Sequence, residues 1–346
     1  MSQTLVPAPP ATAPPAAPSR SRRVLRTLAV LAALPYLTLK IAWIAGSHIG
    51  IPEGSSLLEH RGTMIFANGL TLLMDASVIV LTLLLTRPWG LRTPAWLLAL
   101  PLWTATGLLT PIMAGFPLQL LVRALGGSVD DPSSGSGDSS GAFLDDWVFG
   151  VVYGGFILQG LALGALFVLY ARNRWGHVGR GRVRDLPRTA TGRRSLQRGA
   201  ALTAALLALV PLALHVLWLS GSTTGLDEER IEGRTADFYV LEALDMVYLA
   251  AAVAGGLLLA FRWAPALSVK VPLALAWLGS GAVACWGGWL LLASVVGVDD
   301  IARQPTAGML LTYSVQMIAG ILVAALGASF LKERAGASAP APRHPA

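Results

Sequence analysis

Long unbroken apolar stretches, separated by short polar segments, dominate this chain. A helix needs about 20 apolar residues to cross the hydrocarbon core of a bilayer. Eight stretches meet that length: 24–46, 64–86, 95–116, 147–170, 199–220, 238–261, 271–297 and 308–331. They are continuous rather than alternating, which predicts helices and excludes a β-barrel pattern. The expected fold class is all-α: a polytopic membrane protein with eight transmembrane helices. The first stretch follows Arg20, Arg22 and Arg23 and so imitates a secretory leader. It is longer than a leader's apolar core, carries Lys40 and has a counterpart in mid-chain, so it is expected to remain as a helix.

The rest of the chain divides around these stretches. Residues 1–22 and 335–346 are rich in Pro, Ala and Ser or Arg and are expected to be disordered tails. Residues 23–170 form a first four-helix unit, in which 117–146 is a loop whose Ser/Gly/Asp segment 128–141 reads as flexible. Residues 171–198 are a basic connection, and 199–334 form a second four-helix unit.

The two units share a pattern. Shifting the stretch around 34–50 onto that around 210–225 matches Lys40 with His215, Trp43 with Trp218, Gly46 with Gly221, Ser47 with Ser222 and Gly50 with Gly225. Arg87-Pro-Trp is echoed by Arg262-Trp. Each unit crosses the membrane an even number of times, so a repeat of this kind is a parallel one.

Composition agrees with the membrane reading. The chain is 54% hydrophobic and 13% charged, with a mean hydropathy of +0.61. Those values exclude a disordered chain and speak against a soluble enzyme. The single cysteine, Cys285, excludes a disulfide framework and a cysteine-built metal centre. The net charge of +7 does not point to nucleic acid, because the basic residues lie between apolar runs. Lys and Arg collect in cytoplasmic loops. With the N-terminus inside, 20 of the 26 basic residues are inside, nine of them arginines between Arg172 and Arg198, and 14 of the 19 acids are outside. Both termini are therefore expected to be cytoplasmic and the protein to sit in the cell membrane. The bilayer is the expected partner, with anionic lipid at the basic 171–198 loop. No oligomeric state follows.

Ionisable groups at membrane depth are costly and mark candidate sites. They are Lys40, Asp75, His215, Glu242 and Asp245, with Asn68 at the level of Glu242. Glu242 and Asp245 are three apart and share a helix face. A cation from Lys40 or His215 is expected near them. Two readings stand: an outward-facing polar pocket in helices 1, 2, 5 and 6 that binds a small solute, an ion or protons, or interhelical pairs that fix helix register. Trp43 and Trp218 fit interfacial belt positions, and Gly150, Gly154, Gly160 and Gly164 suggest close helix packing. Pro101 and the Gly287-Gly288 pair mark possible interruptions of their helices. His48, Glu53, Glu59 and His60 crowd the first outer loop without matching a metal motif. No phosphate-binding loop, nucleophile motif, catalytic residue or cofactor motif is present.

The Pro-Tyr-Leu-Thr-Leu-Lys-x-x-Trp stretch at 35–43 resembles uncharacterised multi-pass membrane proteins of GC-rich bacteria. That resemblance carries no activity with it. The expected function is a small-solute or proton-coupled transporter. The alternatives are a non-transporting scaffold or sensor partner and, third, a membrane-embedded enzyme.

Overall fold

A computed structural model of the chain describes residues 20–53, 55, 58, 61–127, 144–176, 179–186, 191–295 and 304–337. Eight long helices carry it: α1 (Arg20–Ile44), α2 (Arg61–Thr86), α3 (Ala95–Ala124), α4 (Asp146–Trp175), α5 (Thr191–Leu219), α6 (Ala236–Phe261), α7 (Lys270–Val295) and α8 (Ala307–Ala337). All eight are long and apolar enough to span a membrane, so the protein is an integral, multi-pass one. The shortest, of 25 residues, is roughly 37 Å long at about 1.5 Å per residue, against a core of about 30 Å.

Several ends differ from the apolar limits. Residues 20–22 and 335–337 are helical rather than part of the tails, α3 runs on to Ala124, and α5 starts at Thr191. Helical hydrogen bonding does not stop where hydrocarbon does, so charged residues continue the turns. Segment 128–141 lies outside the described residues, as do 1–19 and 338–346. Pro101 and the Gly287-Gly288 pair do not break their helices; α3 and α7 run through them.

Helix α1 packs on α2 and α4, and α5 packs on α6 and α8. Between these two groups α3 lies against α7, which also packs on α6 and α8. Small residues allow this closeness. A Cβ on Gly281 of α7 would sit 3.1 Å from the Gly107 Cα of α3. Three tryptophans then tie the seam. Trp103 Nε1 donates to Ser280 Oγ at 3.0 Å, Trp277 Nε1 to Thr106 Oγ1 at 3.0 Å and Trp286 Nε1 to the Leu108 carbonyl at 3.2 Å. In α4 the packing glycines are Gly155, against Ala32 and Tyr36 of α1, and Gly160, against Met113; nothing approaches Gly150, Gly154 or Gly164.

The turns after α1 and α5 have one hydrogen-bond pattern. Ser47 N–H donates to the Ala42 carbonyl at 2.8 Å and Ser222 N–H to Leu217 at 2.9 Å. Gly46 and Gly221 sit at φ of 100° and 93°, and Gly50 and Gly225 at 73° and 77°, where a Cβ is strained. Trp43 and Trp218 are not belt residues. Both are buried, and their indole N–H groups donate to the Ile49 carbonyl at 2.7 Å and the Thr224 carbonyl at 2.9 Å, pinning these turns.

At the opposite, arginine-rich end the 171–198 connection is partly built into the core. Val183 N–H donates to the Leu267 carbonyl at 2.9 Å and Val269 N–H to Gly181 at 3.2 Å, and both valines are fully buried. Arg174 grips the short helical turn at Pro88–Arg92, donating to the Thr93 carbonyl at 2.7 Å and the Gly90 carbonyl at 3.3 Å.

Candidate functional site

The ionisable candidates do not converge on one pocket. They form two clusters, one in each three-helix group, and no hydrogen bond or ion pair joins the clusters among the described residues.

In the first cluster Lys40 of α1 donates to Asp75 Oδ2 of α2 at 2.5 Å, with both residues buried (7% and 8% exposed). The sequence suggests a cation from Lys40 or His215 near Glu242; Lys40 instead pairs with Asp75, and His215 is the partner of Glu242. Its ammonium lies 5.5 Å from the Tyr36 ring centre and 5.8 Å from that of Phe156. The aromatic faces offset part of the lost hydration. Tyr36 OH donates to Gln159 Oε1 of α4 at 2.5 Å, and Gln159 Nε2 is buried without a partner. Charges within this cluster cancel.

The second cluster has a different balance. His215 Nδ1 of α5 is hydrogen-bonded to Glu242 Oε2 of α6, and Gln316 Nε2 of α8 lies 2.7 Å from His215 Nε2. The Gln316 amide can bond this ring in either state, its nitrogen donating to a bare Nε2 or its oxygen accepting from a protonated one. Trp218 meets the ring edge to face at 5.3 Å. One turn along α6 lies Asp245, half-buried, with no hydrogen bond or ion pair to it in the described structure. The charges whose fields reach Asp245 are His215, Glu242 and Arg230, the last on the short helical turn Glu228–Glu232. Two carboxylates thus lie near one imidazole, and among the described residues no ion pair holds Asp245.

Asn68 joins neither cluster; its Nδ2 donates to the Met64 carbonyl of the preceding turn at 2.9 Å. Among the described residues no three metal-ligating side chains come together. Glu59 and His60 lie outside the described residues, and His48 is exposed. A shallow groove of about 250 Å³ between α2, α3 and α7, lined by Met74, Thr104, Cys285 and Trp289 among others, is apolar and touches neither cluster.

Sequence reasoning missed Tyr36, Gln159 and Gln316 because they are neutral. A glutamine inside an apolar run is nevertheless costly without a partner, and that signal points to both.

No protein-family model matches the chain, and no curated protein or solved structure matches it significantly.

Proposed function

We propose that the protein is a proton-coupled membrane transporter for a small solute, in which His215, Glu242, Asp245 and Gln316 bind the proton. The observation that carries this reading is the imbalance of the second cluster: two carboxylates beside one imidazole that Gln316 also bonds, and among the described residues no ion pair at Asp245. Such a group takes up a positive charge readily. Proton uptake at His215 Nε2 requires the Gln316 amide to turn its oxygen toward the ring, since a protonated ring donates from both nitrogens. Binding of a proton is thereby tied to a side-chain motion between α5 and α8. The first cluster, with a complete ion pair, acts as a fixed strut.

The architecture proposed for this function is two like units of four helices in parallel orientation, with both termini cytoplasmic. A constant spacing supports the repeat: α1 and α5 end 175 residues apart, as 44 is from 219, and α2 and α6 share that offset at both ends. The paired turn hydrogen bonds fall at the same spacing. The arginine-rich end supports the orientation and contact with anionic lipid.

Charge movement on solid-supported membranes carrying the reconstituted protein tests the reading without knowledge of the solute. A pH jump is expected to give a transient current that Asp245→Asn and His215→Gln abolish. No transient in the wild type, or an equal one in both variants, overturns it. The second reading is a non-transporting scaffold. It is favoured by the buried Lys40–Asp75 pair and the tight α3–α7 seam, and it predicts no transient at all.

A further inference from the structure

The arginine-rich end of the α5/α6/α8 group gathers four arginines from two helices. Arg193, Arg194 and Arg198 stand on the first turns of α5, and Arg262 caps the end of α6. Glu333 of α8 is a carboxylate that acts on both Arg193 and Arg262. Arg193 Nη1 lies 3.7 Å from Glu333 Oε1, an oxygen already taken by Gln197 Nε2 at 3.0 Å. Burial pushes the Arg262 guanidinium below its usual range; Arg194 and Arg198 push it down further, and Glu333 offsets part of this. Arg194 and Arg198 lie close enough to Arg262 to repel it, and Arg262 also donates to the Leu186 carbonyl at 3.3 Å, so positive charge is concentrated at this end. The Nε of Arg198 is buried and has no acceptor, while its guanidinium carbon sits 5.2 Å over the Phe261 ring.

Two further features set the kind of anion. No acid occupies the first turn of α5, so the positive end of its dipole adds to the arginines rather than being neutralised. Beside the cluster the surface turns apolar. Leu196 is 74% exposed, and Trp263, stacked on Phe261 with ring centres 4.9 Å apart, is 63% exposed. An exposed tryptophan and leucine next to grouped arginines, at the end of membrane-spanning helices, match the boundary between headgroups and acyl chains. Arginine forks suit phosphate oxygens.

We infer that Arg193, Arg194, Arg198 and Arg262 form a binding site for the phosphate of an anionic phospholipid, with Trp263 and Leu196 against its acyl chains. The site is independent of the proton-binding cluster and needs only the membrane-spanning fold. The shared chemistry is a phosphate group, and the lipid is the source because the apolar rim gives a free phosphate nothing to bind.

The test titrates the purified protein in detergent with phosphatidylglycerol, phosphatidylcholine and inorganic phosphate, following binding by native mass spectrometry and the thermal midpoint. Phosphatidylglycerol is expected to bind and raise the midpoint, and phosphatidylcholine to do so far less. The Arg194→Gln, Arg198→Gln double variant should bind phosphatidylglycerol at least about tenfold more weakly, the effect of losing one charge-assisted hydrogen bond. Should the double variant not fold, Arg194→Gln alone carries the test, because Arg194 is exposed. Equal binding of the two lipids, or unchanged binding in the variant that folds, overturns the site. Full displacement of the lipid by an equal concentration of inorganic phosphate overturns the lipid source.

Discussion

At Lys40 an ammonium group is held out of water by one carboxylate and two aromatic faces, and each partner depends on the other. Removing one member of a buried pair leaves the other charged in low dielectric, at a cost of about 3–5 kcal/mol. Lys40→Ala is therefore expected to lower the thermal midpoint in detergent sharply. Lys40→Met combined with Asp75→Leu removes both charges, fills similar volume and should recover most of the loss. A normal melt for Lys40→Ala would show that the pair is not a strut. The ionisable residues themselves were legible in the sequence, because charge inside an apolar run stands out. Their pairing was not. Sequence spacing alone does not say which turn of α2 faces Lys40, and the contact with Asp75 depends on how the two helices pack. The neutral members, Tyr36, Gln159 and Gln316, carry no charge to flag them, yet Gln316 bonds the His215 ring on the side away from Glu242.

Among the helices, α7 is the one whose neighbours approach most closely, and its small residues are the reason. Gly281 faces Gly107 across the seam with α3, and Gly279 and Gly287 meet the backbones of α6 and α8. Gly107→Leu has no room: even its first carbon would meet the Gly281 carbonyl. The seam would have to open, breaking the tryptophan hydrogen bonds to Ser280, Thr106 and Leu108. Overpacking of this kind typically costs 1–3 kcal/mol. Gly107→Leu is expected to lower the thermal midpoint and shift tryptophan fluorescence, while Gly164→Leu, at an open position, leaves both unchanged. Equal effects from the two would deny the seam its role. Helix number and rough position could be read from hydrophobicity alone. Which glycines pack could not, because small-residue spacing in α4 repeats on a face that meets no neighbour as well as on one that does.

Taken whole, the molecule has a loop-pinning end and an arginine-rich end, and the proposed orientation and repeat make one joint demand on them. In a parallel repeat the turns after α1 and α5 must lie on the same face of the membrane, whereas an inverted repeat would place them on opposite faces. In the orientation proposed from the arginine bias both turns lie outside, since Lys and Arg near helix ends are retained in the cytoplasm. Alkaline phosphatase, active only outside, and green fluorescent protein, fluorescent only inside, report this when fused to truncated chains. Phosphatase fusions after Ser47, Gly127 and Ser222 are expected to be active. Fluorescent fusions after Arg92, Arg184 and Lys332 are expected to be bright. Opposite signals at Ser47 and Ser222 would reject the parallel repeat. A uniform reversal at all six positions would keep the repeat and invert the orientation, and the phosphate site at Arg194 and Arg198 would then face the outer leaflet.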